Sequence, residues 1–275
     1  MRNVNKLRGV IFDWAGTVVD FGSLAPTRIF VEAFATFDIL LTPAQARAPM
    51  GLSKREHIET LLAEPALAAQ WRERFNRDAT QNDVDAIYAR YMPMQIEKIG
   101  AYSQPVPGAV ETLASLRRRG VKLGSCSGYP RQVMEVLVPL ARESGIEFDY
   151  VVAGDDLSGR GRPGPYMALT NVIALRLADV RACVKVDDTA AGAEEGRNAG
   201  MWSVGVALSG ASAGLSLQEY RAASAAELAA VRARATESLA KAGAHIVIDT
   251  VAELPQTLDA IEQRMREGER PGADP

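Results

Sequence analysis

Six short runs of apolar, partly β-branched residues punctuate this chain, at 9–13, 121–126, 150–153, 183–187, 202–206 and 245–248, each ending at or near a small or acidic residue. Near-continuous apolarity over so few residues suits strands buried on both faces, as in a parallel sheet covered by helices. Helical patterns lie between them at 109–119, 130–144, 165–177 and 192–199. That alternation predicts an α/β fold with a doubly wound, Rossmann-like parallel sheet. Ligands of such sheets bind beyond the carboxyl ends of the strands. The polar residues that follow the runs, Asp13, Ser127 and the pair Asp187 and Asp188, are therefore the first candidates for chemistry.

The interval 21–99 breaks this rhythm. It holds helical segments at 26–37, 42–49, 53–63, 65–77 and 84–98 and no convincing strand. A chain of 275 residues exceeds what one average domain needs. The expected organisation is a core of residues 1–20 and 100–275 with an inserted α-helical cap of residues 21–99. Such a cap would close over the sheet edge and exclude water. Beyond the fifth strand, 217–241 reads as one Ala-rich charged helix without chemistry, and the Gly- and Pro-rich tail 268–275 reads as disordered.

Several function classes are disfavoured. The net charge of −3 and the lack of a basic run leave no footprint for nucleic acid. No apolar stretch reaches the ~18 residues of a membrane span, and residues 1–9 lack the apolar centre of a secretory signal. Two cysteines without a C-x-x-C spacing argue against a disulfide framework or a zinc site. The expectation is a cytoplasmic protein acting on a small molecule, with neither nucleic acid nor membrane as a partner.

Asp13 is the strongest single candidate. Its bland reading is a turn-capping aspartate, which loses weight because three polar strand ends would converge at one sheet edge. Asp187 and Asp188 read equally as a helix N-cap pair. Gly128 permits close backbone approach after Ser127, and the helix start beyond Pro130 favours an anion. In the helical interval, Ser53 and Glu56 form a capping-box pattern that puts Lys54 in a first helical turn. The helix dipole disfavours a cation there, and closure of a lid would add desolvation in the same direction. His57 shares that helical face. Taken alone, Lys54 and His57 are ordinary solvated surface.

The segment Asp13-Trp14-Ala15-Gly16-Thr17 resembles the first motif of the haloacid dehalogenase-like superfamily, D-x-D-G-[TV], whose first aspartate is a nucleophile and whose second is usually a general acid. Ala15 replaces that acid. Ser127-Gly128 resembles the second, phosphate-gripping motif, Arg162 occupies the third-motif slot usually held by lysine, and Asp188 matches the metal-binding acid of the fourth. The resemblance implies Mg²⁺ held by Asp13, Asp188 and the backbone carbonyl of Ala15, with Asp187 nearby; Mg²⁺ favours such a small set of oxygens.

Ala15 combined with P-M-G-L-x-K-x-x-H at 49–57 resembles more closely the phosphonoacetaldehyde hydrolase (phosphonatase) family. Further matches are D-F-G-S-x-A-P at 20–26, C-S-G-Y at 126–129, G-R-P-G-P-Y-M at 161–167, E-G-R-N-A-G-M-W at 195–202 and G-A-H at 243–245, so the likeness spans 7–271. It implies cleavage of the phosphorus–carbon bond of phosphonoacetaldehyde to acetaldehyde and phosphate, as in 2-aminoethylphosphonate degradation. Lys54 would form a Schiff base and Asp13 an aspartyl phosphate. Met50, His57 and Tyr129 would line the imine or move protons, and Ser127, Gly128 and Arg162 would bind the phosphoryl group. A homodimer joined through cap helices is also implied. Two rivals stand beside this reading. An ester phosphatase or phosphomutase would miss the acid at position 15, worth roughly 10²-fold or more in rate. A scaffold without turnover would leave the set Asp13, Lys54, Ser127, Arg162 and Asp188 unexplained.

Overall fold

The computed structural model describes residues 6–272. Six parallel strands, β1 (Gly9–Phe12), β2 (Lys122–Cys126), β3 (Tyr150–Val152), β4 (Cys183–Asp187), β5 (Trp202–Val206) and β6 (Ile246–Ile248), form one sheet in the order β3-β2-β1-β4-β5-β6. This is the doubly wound arrangement, and all six expected strands are present within one residue at each end. Successive side chains of β1 serve opposite faces. Val10 and Phe12 enter the larger core with Leu113, Leu116 and Leu137, whereas Ile11 enters a smaller cluster with Cys126, Val152, Met167 and Met201. Burial on both faces is why these strands read as unbroken apolar runs.

Six α-helices separate β1 from β2, and the first five make up the helical segment: α1 (Leu24–Ala35), α2 (Pro43–Arg47), α3 (Lys54–Ala63), α4 (Pro65–Phe75) and α5 (Gln81–Lys98). The sixth helix of the chain, α6 (Ala109–Arg118), then leads into β2. The two passages between the helical segment and the sheet run side by side, joined by Asp20 N–H to Gln104 O at 3.2 Å and Val106 N–H to Val18 O at 2.9 Å. The other helices are α7 (Arg131–Glu143), α8 (Tyr166–Ala174), α9 (Ala190–Asn198), α10 (Leu217–Ala222), α11 (Ala225–Lys241) and α12 (Leu254–Arg266).

Two expectations are corrected. The single helix expected over 217–241 is two helices. Ala223 is extended, and Ser224 with Glu227 makes a fresh capping box that starts α11. The described part of the tail is not loose. Glu269 pairs with Arg264, and the Gly272 N–H lies 3.4 Å from His245 Nε2. Residues 273–275 of that tail, and residues 1–5 of the polar amino end, lie outside the described residues. No described helix is long and apolar enough to cross a membrane.

Candidate active site

The sheet order makes β1 the switch point, with β2 on one side and β4 on the other. The register pairs Phe12 with Ser125 and with Val186, so the residues after these strands lie close together. Asp13 is tied there by its N–H to Val186 O at 2.9 Å. Asp13, Ala15, Ser127, Gly128, Tyr129, Arg162 and Asp188 from the sheet side, and Met50 and Lys54 from the helical segment, line one small cavity of about 20 Å³. Of the candidate site residues singled out in the sequence, His57 and Asp187 do not line it. His57 is fully buried, stacked on Phe30 at 4.0 Å, with Nε2 2.9 Å from the Ala46 carbonyl and Nδ1 unpartnered. Burial first, then the charge of Lys54, hold it well below the ordinary histidine value, so the ring is neutral.

Lys54 opens α3, with Ser53 and Glu56 forming the expected capping box. Its Nζ lies 5.0 Å from the Tyr129 ring centre and 5.5 Å from that of Phe30. Only 4% of the residue is exposed. Burial pushes its amine down to about 7, with Asp13 opposing and Arg162 assisting. The leading cause is thus desolvation, between the faces of Phe30 and Tyr129. The segment is closed onto the sheet: a Cβ at Gly128 would lie 2.9 Å from Leu52 O, and one at Gly51 (φ +98°) 2.5 Å from Thr189 Oγ1.

Around Asp13 the charges are buried and interlocked. Arg162 reaches Asp13 Oδ1 at 2.7 Å, Cys126 O at 3.0 Å, Asp187 at 3.2 Å and, through Nε, Glu195 at 2.9 Å. Lys185, inside β4, pairs with Asp187 and lies 3.6 Å from Glu195. Asp187 also accepts from Thr189 Oγ1 at 2.7 Å. Space for Asp187 exists because residue 192 is glycine: a Cβ there would sit 1.9 Å from the Asp187 Cγ. The cap of α9 is Thr189, which accepts from Gly192 N–H, so Asp187 and Asp188 are not the N-cap pair. Burial, then Asp187, raise Asp13 to about 6 against the pull of Arg162 and Lys185. Asp188 is driven well above the usual carboxylate range by burial and by its two acidic neighbours.

A divalent cation fits here. Oxygens of Asp13, Asp187 and Asp188 lie within 4.8 Å of one another. Asp188 Oδ2 accepts from Ala211 N–H at 2.7 Å while Oδ1 is buried without a partner. Among the described residues, four buried carboxylates, counting Glu195, face only Arg162 and Lys185 plus a half-neutral Lys54, a deficit that a hard dication would offset.

Residues 7–200 match the model of the haloacid dehalogenase-like hydrolases. Proteins named phosphonoacetaldehyde hydrolase are similar over nearly the whole chain. One from Vibrio cholerae is 55% identical over 97% of this chain and 99% of its own, and one from Bordetella pertussis is 54% identical over 97% and 96%. The chain belongs to the phosphonoacetaldehyde hydrolase family. A crystal structure described as a phosphonoacetaldehyde hydrolase-like protein from Oleispira antarctica superposes with a TM-score of 0.95 at 38% identity, covering 98% of this chain and 97% of that one.

Within this phosphonoacetaldehyde hydrolase family member, sequence reasoning passed over Lys185, Glu195 and Asp20, all buried. A signal for Lys185 was available. A lysine inside a strand buried on both faces must meet a buried acid; Asp187, two residues on, is that acid, with Glu195 on the helix that follows behind it.

Proposed function

We propose that the chain hydrolyses phosphonoacetaldehyde to acetaldehyde and phosphate through an imine on Lys54 and a phosphoryl group on Asp13. The observation that carries this reading is Lys54, a buried amine pushed down to about 7, sharing one cavity with Asp13 while Ala15 stands where an acid would serve an ester. At neutral pH a large fraction of Lys54 is unprotonated and free to attack the aldehyde, and the condensation releases water. The protonated imine is an electron sink. When an Asp13 oxygen bonds to phosphorus, the phosphorus–carbon bond breaks and its electron pair delocalises through the carbon to the nitrogen as an enamine. No alkoxide leaves, so no acid is required at position 15. Protonation of the enamine carbon and hydrolysis of the imine free acetaldehyde and Lys54. Water then cleaves the phosphoryl–Asp13 bond to give phosphate.

Arg162 spans Asp13 and Glu195 and meets the charge on the phosphoryl group. Ser127 and Gly128 offer hydrogen bonds and close approach at the same edge. Tyr129 and Met50 line the imine side, and His57 stands behind Lys54 as a neutral ring. Mg²⁺, held by Asp13, Asp188 and the Ala15 carbonyl, would supply positive charge beside the transferring group. The reading includes a cytoplasmic homodimer in which residues 21–99 are the cap over a core of 1–20 and 100–275.

Borohydride added during turnover is expected to reduce the imine, abolish activity and mark the peptide that contains Lys54. Lys54→Arg keeps the charge but cannot form the imine, so its activity should fall by at least 10³-fold and no adduct should form. An unmarked wild-type protein that turns over phosphate esters would refute the reading.

A further inference from the structure

Asp20 is a buried acid that the reaction above leaves unused. Its backbone is left-handed (φ +52°), a conformation that residues other than glycine seldom adopt without a reason. The reason lies in its contacts. Its carbonyl accepts from Gly16 N–H at 3.0 Å, in the loop that follows Asp13, and from Ser23 N–H at 2.8 Å. Its own N–H donates to Gln104 O, on the chain returning from the helical segment. Its carboxylate accepts from Leu24 N–H at 3.1 Å through Oδ1 and from Ala25 N–H at 2.9 Å through Oδ2. Those are the first amides of α1, which lack partners within the helix and face its positive end. Ser23 holds the N-cap position, left-handed at φ +50°, and makes no capping bond. Asp20 therefore caps α1 from outside the helix. Along α1, the Phe30 ring covers Lys54 Nζ and stacks on His57 and Tyr91.

We propose that Asp20 is a positioning residue whose carboxylate anchors α1 to the Asp13 loop and, through Phe30, holds Lys54 over the nucleophile. The inference rests on the imine reading of Lys54. One residue joins the nucleophile's loop, the return passage and the first helix of the segment that carries the amine. A displaced α1 would therefore rehydrate Lys54 without touching the phosphoryl side of the site. The titratable and charged groups facing Asp20 are Arg28 on α1 and Tyr129 on the loop after β2. Burial pushes the Asp20 carboxyl up to about 7, against the two amides and Arg28, so the anchor is ionised above neutrality and loses an acceptor below it.

Asp20→Asn preserves size but turns an NH2 group toward one of the two amides. It is expected to lower kcat at least tenfold with less than a threefold change in KM. The pH midpoint for borohydride trapping of Lys54 should rise by at least one pH unit. A purely structural role would lower the melting temperature and leave that midpoint in place; this outcome, or unchanged kinetics, overturns the proposal. Hydrogen exchange in the wild-type protein tests it without a variant. Corrected for intrinsic rates, the Leu24 and Ala25 amides should be at least tenfold better protected at pH 8 than at pH 6, and equal protection overturns the anchor. A wild-type protein that forms no Lys54 adduct refutes the imine reading instead, and the exchange result then decides the anchor alone.

Discussion

Replacing Lys54 by methionine should make this protein more stable, by an amount that shrinks as pH rises. The folded protein holds the Lys54 amine at about 7 against an ordinary 10.5, and burial is the cause. Between those values the unfolded chain carries a proton that the native state lacks, so wild-type stability climbs by about 1.4 kcal/mol per pH unit from this residue alone. Below pH 7 both states are protonated and the native state bears the whole desolvation cost; above 10.5 neither is protonated and the cost vanishes. Methionine keeps the unbranched stem in the space between Phe30 and Tyr129 and removes the charge. The variant should exceed wild type by up to ~4 kcal/mol at pH 7 and ~2 kcal/mol at pH 9. Asp13, at about 6, titrates below that window and leaves the slope intact. Urea unfolding of both proteins at four pH values, with equal m-values, measures the gap. A gap that stays constant from pH 7 to 9, or a less stable variant, would show that the amine is not buried in its charged form at a cost and would remove the basis for its reactivity.

Two further outcomes follow from the same geometry. Mg²⁺ should raise the melting temperature of the wild-type protein, by the equivalent of about 2.7 kcal/mol at a hundred times its Kd, and Asp188→Asn should abolish most of that rise in a thermal shift titration. An undiminished rise would remove Asp188 from the ligand set. In Gly128→Ala, the added Cβ meets the Leu52 carbonyl at 2.9 Å, backbone against side chain with no flexible end to yield. The helical segment should be held off the sheet, with kcat/KM reduced about 10²-fold and Lys54 trapping displaced to higher pH; normal trapping would mean that the segment need not close.

The sheet was legible because each strand is short, buried on both faces and bounded by a helix pattern. Its order followed from no sequence signal, yet the convergence of Asp13, Ser127 and Asp188 needed only parallel strands. Lys54 was findable as a helix-start lysine, but nothing in the order of residues says that α3 faces Asp13. That link came from a resemblance, and the three-dimensional reason for it is the contact of Gly51 and Leu52 with Thr189 and Gly128. Glu195 and Asp20 stayed hidden for another reason. Each acts through partners distant in sequence or through backbone amides, and neither leaves a spacing pattern. The break at Ala223 was visible in principle, since Ser224 and Glu227 carry the same capping signature as Ser53 and Glu56.

The close approach of residue 192 to Asp187 has a consequence for how this site can vary. One volume serves two positions, and the Asp187 carboxylate fills it. Residue 187 must shorten before residue 192 can acquire any side chain, so tolerated changes there come in a fixed order. Scanning substitutions singly would score 192 as immutable. Its constraint is conditional, and the condition is written five residues upstream.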